Sequence, residues 1–268
     1  RAKARRMDST CRHAERIRAM NRFYVDKSQI KGKWVTITGE DVKHITRVLR
    51  LAAGDRVTIC DGDNTDYEGT IERVEKGELR VRLGPAVETG TEADVEMVLY
   101  QAVAKGTKME FIIQKGTELG VSAFVPVITS RTVVRIEDRR EAEKKQQRWQ
   151  RIAMESAKQC RRGRIPIVKT VLDFDRALEE MEGFSLALMP HAAEGGLPIG
   201  RMPGKAGDYD SIAIMIGPEG GFDDGEVKKA VQRGITVVNM GPRILRTETA
   251  GIAAAAILMY RFGDLGGL

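Results

Sequence analysis

From about residue 93 onward, short unbroken apolar runs alternate with stretches of helical periodicity. This rhythm constrains the fold more than any other feature of the chain. The runs are VEMVLYQAVA, AFVPVIT, FSLALMP, SIAIMIG (Ser211–Gly217) and ITVVNMG (Ile235–Gly241). Between them lie KMEFIIQKGTELG, EAEKKQQRWQRIAMESAKQC, FDRALEEM, a segment opening at Asp224, and an Ala-rich close. Strands buried on both faces read as continuous apolar runs. Strand–helix alternation then predicts an α/β domain built on a parallel sheet. The first helix stops at Gly120, a natural position just past a helix C-terminus. The long helix places Trp149, Ile152, Ala153 and Ala157 on one face.

Residues 20–90 read differently. WVTIT (Trp34–Thr38) alternates as a half-buried strand does, and DRVTICDG, YEGTIERV and ELRVRLG are short strand-like segments broken by Gly and Asp. Between them, Asp41–Leu51 predicts a short helix with Val42, Ile45, Val48 and Leu49 at helical spacing and Asp41 as its N-cap. This is a small β-rich domain, a barrel with one helix. Pattern alone fits an RNA-binding surface and a structural appendage equally. Thr89–Glu92 read as a linker. Residues 1–19, Arg-rich and without an apolar run, read as an N-terminal extension: a tag, a leader or an upstream start.

Composition sets outer limits. A chain of 268 residues predicts about two domains. With 42% apolar residues it can bury a core, which excludes disorder of the whole chain. No apolar run approaches the roughly 18–20 residues of a membrane span, and the longest, Ala250–Tyr260, reads as a buried helix. Cys11, Cys60 and Cys160 are odd in number, widely spaced and free of CxxC, and the histidines are only His13, His44 and His191. Neither a disulfide framework nor a metal site is expected, and a reducing, cytoplasmic compartment is the natural reading.

The net charge of +6 is unevenly spread: residues 1–31 carry +7, which leaves residues 32–268 at −1. Within that near-neutral body, residues 131–169 hold thirteen Lys/Arg against five acids. A basic stretch on an otherwise acidic chain fits a phosphate-binding face, and it also fits a solvated helix.

Two loops carry the chemistry. Gly217–Phe222 (GPEGGF) joins a strand to a helix, with Asp223 and Glu226 spaced as a capping box. Glycines beside a strand end let backbone approach a ligand, and ligands of α/β proteins bind at the carboxyl ends of the strands. The loop is neither a GxGxxG fingerprint nor a Walker A motif. Gly241–Gly251 (GPRILRTETAG) again follows a strand and opens a helix, with Arg243 and Arg246 alternating with apolar residues. Arg246 and Glu248 could also simply pair with each other.

IGPEGGF, MGPRILRTETA, KGTELGVSAFVPVITSR, RWQRIAMESAKQCRR and HITRVLRL together resemble the bacterial 16S ribosomal RNA uracil-N3 methyltransferases of the SPOUT superfamily. The resemblance covers about Asn21 to Phe262. It implies a PUA-like N-terminal barrel (residues 20–90) followed by an α/β methyltransferase domain (93–268) with a C-terminal trefoil knot. It implies S-adenosylmethionine as methyl donor, held by Leu188, Met189 and Pro190, by Ile216, Gly217, Pro218, Gly220 and Gly221, and by Met240, Gly241, Ile244, Leu245, Arg246, Thr249 and Ala250. It implies small-subunit 16S rRNA as partner, without metal or membrane, and a homodimer whose interface the Ala-rich helix suits.

Uracil N3 carries a proton that must leave as the nitrogen attacks, so a positioned base and groups stabilising charge on O2 and O4 are expected. The candidates are Glu219 or Glu248 as base and Arg246 as base-edge or charge stabiliser. Glu219 could instead bind the donor's amino group or cap a helix. Phosphate contacts are expected from Arg131, Arg135, Lys158, Arg161, Arg162 and Arg164, and from His44, Arg47 and Arg50 in the first domain. Lys105, Thr107 and Lys115 are expected near the cleft. The alternatives are a ribose 2′-O-methyltransferase of the same superfamily, a non-catalytic rRNA-binding assembly factor, and an enzyme using another adenine ligand.

Overall fold

The computed structural model describes residues 21–136, 138–192 and 196–267. The N-terminal extension, with Cys11 and His13, lies outside the described residues. The chain forms two units: residues up to Glu92 together with Arg161–Ile165, and Ala93–Cys160 together with residues from Pro166 onward.

The first unit is a six-stranded sheet among the described residues. Its strands are β1 (Arg22–Tyr24), β2 (Ile30–Lys31), β3 (Trp34–Thr38), β4 (Arg56–Cys60), β5 (Thr65–Glu75) and β6 (Glu78–Glu88), in the order β1-β4-β5-β6-β3-β2. The end strands β1 and β2 are not bonded to each other, so the expected barrel takes the form of a half-barrel. β5 and β6 are eleven residues each, longer than their sequence suggests, because register shifts at Tyr67/Gly69 and Ile71/Arg73 let the ladder continue through irregularities. Alternate residues Val35, Ile37, Val57, Ile59, Leu79 and Val81 fill its core.

The helix of this unit differs from expectation in detail. α1 (Glu40–Lys43) starts after Gly39, whose φ of +79° makes it the N-cap; Asp41 lies inside the first turn instead. A π-helical turn, His44–Val48, follows, with the Leu49 N–H bonded to the His44 carbonyl at 3.0 Å. The wider turn rotates Val48 off the apolar face, leaving it 65% exposed while Val42 and Ile45 are buried.

Thr89–Glu92 end the first unit's opening segment, where the linker is expected, and are held by hydrogen bonds within that unit. They receive the segment 161–165: the Gly163 N–H donates to Thr91 Oγ1 (2.8 Å) and Glu92 Oε1 (2.9 Å). The Arg162 guanidinium is ion-paired with Glu92 at 2.6 Å, and both side chains are buried. The Arg162 carbonyl accepts from the Tyr24 hydroxyl and from Arg22, which pairs with Asp66 at 2.8 Å. The Asn64 N–H donates to the Gly163 carbonyl at 2.9 Å.

The second unit is a parallel sheet covered on both faces, as the apolar runs predict. Its strands are β7 (Glu96–Ala102), β8 (Ala123–Ile128), β9 (Ile167–Val168), β10 (Leu172–Asp173), β11 (Leu186–Pro190), β12 (Leu197–Pro198), β13 (Ser211–Ile216) and β14 (Thr236–Asn239). The order is β10-β8-β7-β13-β11-β14-β12, with β9 also on β8, and every pairing is parallel. The two-residue strands β9, β10 and β12 are too short to leave a periodic signal. The helices are α2 (Lys108–Glu118), α3 (Arg139–Cys160), α4 (Phe174–Met181), α5 (Asp224–Gln232) and α6 (Thr247–Phe262).

Alternation along the strands divides the core in two. Met97 and Leu99 of β7 pack with Ile112 and Ile113 of α2, Trp149 and Ala153 of α3, and Ala254, Leu258 and Met259 of α6. Val98 and Tyr100 pack on the other face with Ala177, Leu178 and Met181 of α4 and Ala230 of α5. Among the described residues no helix is long and apolar enough to cross a membrane.

Candidate functional site

β11 lies between β13 and β14, so the loops leaving the carboxyl ends of all three strands are neighbours. Together they enclose a cavity of about 1160 Å³ within the second unit. Pro190 ends β11, and His191 and Ala192 follow it; Ile216–Phe222 end β13 and follow it; Asn239–Thr247 end β14 and lead into α6. Lys108 at the start of α2, Arg131 beyond β8 and Ala250 complete the wall.

Local chemistry holds each loop. The Gly221 N–H closes a turn on the Pro218 carbonyl at 2.9 Å, and Arg131 Nη1 donates to the Gly220 carbonyl at 2.9 Å. Gly221 (φ +67°) and Gly241 (φ +99°) occupy the left-handed region where a side chain would be strained. The predicted capping box opens α5: Asp223 accepts from the Glu226 N–H at 2.7 Å, and Glu226 accepts from the Asp223 N–H at 3.0 Å. Glu226 also accepts from the Ser130 N–H at 2.7 Å, tying the segment after β8 to this helix. Thr247 Oγ1 donates to the Gly217 carbonyl at 2.6 Å and accepts from Gln101 Nε2 at 2.9 Å.

One side of the cavity carries an ion triad. Lys108 Nζ lies 3.0 Å from Glu219 Oε1 and 3.3 Å from Glu248 Oε2. The Lys105 N–H adds a bond to Glu219 Oε1 at 3.3 Å. Burial pushes the Glu219 carboxyl up, but Lys108 and the backbone donors outweigh it and hold the group below its ordinary range. The hydrogen bond to Glu219 raises Lys108, against the opposing effect of burial. Among the described residues no group of three or more His, Cys, Asp or Glu is placed to hold a metal ion.

Of the residues expected at the donor, Pro190, Ile216, Gly217, Pro218, Gly220, Gly221, Met240, Gly241, Ile244, Leu245, Arg246 and Ala250 line the cavity. Leu188 and Met189 do not: they are interior residues of β11, and the strand sends one side chain into each core. Thr249, exposed on the first turn of α6, also lies outside the lining. Glu219 and Arg246 face the cavity; Glu248 sits behind Lys108, which is the cation it pairs with in place of Arg246. Lys108 itself was not singled out by sequence, since one Lys beginning an amphipathic helix carries no signal.

Of the expected phosphate contacts, His44, Arg47, Arg50, Arg131, Arg135, Arg161 and Arg164 are exposed. Lys158 is half-buried and 3.4 Å from Glu155. Arg162 must be removed from this set, because its guanidinium is buried against Glu92. Lys105 touches the site through its N–H to Glu219, Thr107 lines a separate groove between α2 and α3, and Lys115 pairs with Glu118 (2.8 Å) further along α2.

This architecture places the chain in a known class. Residues 91–259 match the family model described as RNA methyltransferase domain, and residues 37–84 match that of the RNA methyltransferase PUA domain. Ribosomal RNA small subunit methyltransferase E of Bacillus subtilis is 32% identical over 249 residues, covering 90% of this chain and 97% of its own. A putative methyltransferase of Legionella pneumophila, solved with the bound cofactor SAM, superposes with a TM-score of 0.79 at 34% identity and covers 92% of this chain and 99% of its own. The small subunit methyltransferase E of Neisseria gonorrhoeae, solved with S-adenosyl methionine, gives 0.79 at 31% identity, covering 91% of this chain and 99% of its own. The chain belongs to the RNA methyltransferase family in which these ribosomal RNA small subunit methyltransferase E proteins are found.

Proposed function

We propose that the protein transfers a methyl group from S-adenosylmethionine to N3 of one uridine of small-subunit ribosomal RNA. The observation that carries this reading is the cavity at the ends of β11, β13 and β14, with Glu219 and Lys108 on its wall.

The residues fit the donor. Ile244, 92% exposed, and Leu245 offer an apolar slot for adenine, flanked by backbone of Met240 and Gly241. Gly217, Gly220 and Gly221 let the second loop approach closely, and Pro190 closes the third side. When bound, the donor supplies an electrophilic methyl carbon on a cationic sulfur. The chain's own groups do the rest. Glu219 accepts the N3 proton, Arg246 faces the base edge, and the loops hold the reacting atoms in line. Glu248 serves as an anchor for Lys108.

The half-barrel, through His44, Arg47 and Arg50, and the exposed Arg131, Arg135, Arg161 and Arg164, with Lys158, supply phosphate contacts. The domains of this reading are 20–90 for RNA binding and 93–268 for catalysis. β11 lying between the later strands β13 and β14 supports a knotted path in the second. The face of α6 formed by Thr249, Ala253, Ala256 and Tyr260 is uncharged and includes an exposed tyrosine, which supports a homodimer. A ribosomal substrate supports a cytoplasmic location.

The test is incubation with labelled S-adenosylmethionine and small ribosomal subunits lacking modification, followed by digestion to nucleosides. The expected product is labelled 3-methyluridine. Label in a 2′-O-methyl nucleoside overturns the base-methylation reading, and absence of donor binding overturns the enzyme reading.

A further inference from the structure

We propose that Lys108 is a catalytic residue: its ammonium, fixed by Glu219 and Glu248, donates a hydrogen bond to a carbonyl oxygen of the target uracil while N3 is methylated. This rests on the uracil-N3 reading above.

The geometry leads here in three steps. An ammonium has three N–H donors. One is directed at Glu219 Oε1 (3.0 Å), Glu248 Oε2 holds the cation as an ion-pair contact at 3.3 Å without a hydrogen bond, and Lys108 lines the cavity, so a donor remains for a ligand. The two carboxylates come from the loop after β13 and from the first turn of α6, so they hold the cation from two directions. A flexible lysine is thereby preorganised, which is the condition for electrostatic stabilisation without rearrangement.

The chemistry needs such a group. N3 gives its proton to the Glu219 carboxylate and its electron pair to the methyl carbon of the donor. The carbon–sulfur bond breaks with its electrons on sulfur, turning a sulfonium into a neutral thioether. Glu219, 30% exposed, then passes the proton to water. As the proton leaves, negative charge builds on O2 and O4 of the ring. Glu219 is held ionised by Lys108 and backbone donors, so it is a weak base. The weaker the base, the more the ring charge must be stabilised by another group, and the cation on the same wall is placed for that.

The experiment is single-turnover methylation of unmodified small subunits by the full chain, with donor affinity measured in parallel. Lys108→Met is expected to lower the rate roughly 10²-fold at neutral pH while donor affinity stays within about twofold. Lys108→Arg should restore part of the rate. Because the substitution leaves Glu219 and Glu248 uncompensated, Lys108→Met is also made with Glu248→Gln, and the same deficit is expected. Two further readouts separate charge stabilisation from a structural role. The deficit should shrink as pH rises toward ionisation of N3, and it should shrink in subunits carrying 5-fluorouridine, whose N3 is more acidic. A rate within threefold of wild type, or a deficit equal at every pH and for both nucleosides, overturns the proposal while leaving the 3-methyluridine reading intact. Absence of 3-methyluridine with the unaltered protein overturns both.

Discussion

Thr247 Oγ1 donates to the Gly217 carbonyl at 2.6 Å, linking the first residue of α6 to the glycine loop thirty positions earlier. The same oxygen accepts from Gln101 of β7, and both Thr247 and Gln101 are buried. One hydroxyl therefore fixes two walls of the cavity to β7. Thr247→Val keeps the volume but leaves a buried carbonyl and a buried N–H without this partner. Unsatisfied buried groups cost about 1–3 kcal/mol. The expected outcome is a loss of that size in urea unfolding, with donor affinity reduced about tenfold by titration calorimetry.

The Arg162–Glu92 pair predicts a different separation of effects. Breaking a buried pair by removing one partner costs about 3–5 kcal/mol. Arg162→Met should lower unfolding stability by that order while leaving the salt dependence of RNA binding unchanged. Arg47→Ala and Arg50→Ala, on exposed positions, should do the reverse. Each should reduce the slope of log affinity against log salt by about one with stability preserved. A salt slope that falls in Arg162→Met would return that residue to the RNA surface.

The pH dependence of the site follows from Glu219. Its folded-state pKa lies below the ordinary 4.5, through Lys108 and the backbone donors working against burial. A depressed carboxyl contributes stability that is present above its unfolded value and is lost as pH falls through the folded one. Melting temperature should therefore drop as pH is taken from about 5 toward 3, and Glu219→Gln should show a smaller drop over that interval. Circular dichroism melts across the series provide the measurement.

Much of this site is legible in the sequence, and the reason is local. The loops Ile216–Gly221 and Met240–Arg246 are contiguous, each sits at the end of an apolar run, and their glycines and apolar residues face a common cavity. Strand alternation sends the side chains of Leu188 and Met189 into the two cores, so of this strand end only the terminal Pro190 lines the cavity. Arg162 misleads because a run of Arg looks solvated until its partner, Glu92, comes from seventy residues away. Lys108 is missed for the same reason in reverse: its meaning comes from Glu219 and Glu248, both more than a hundred residues distant. Pairwise electrostatics between remote segments leaves no periodic trace, whereas burial does.

Ile244 tests what covers the cavity. At 92% exposure it is the most exposed large apolar side chain on the rim, and leaving it in water contributes nothing to folding. Its truncation should therefore leave unfolding stability within about 0.5 kcal/mol, as for other surface positions. If adenine packs on it, Ile244→Ala removes apolar contact worth about 1–2 kcal/mol, or tenfold or so in donor dissociation constant. If instead a second copy of the chain covers it, donor affinity measured at fixed protein concentration stays constant while sedimentation shows a weaker dimer. Because the two ligands of this side chain respond to different variables, one to donor concentration and the other to protein concentration, titrating each in turn assigns the residue.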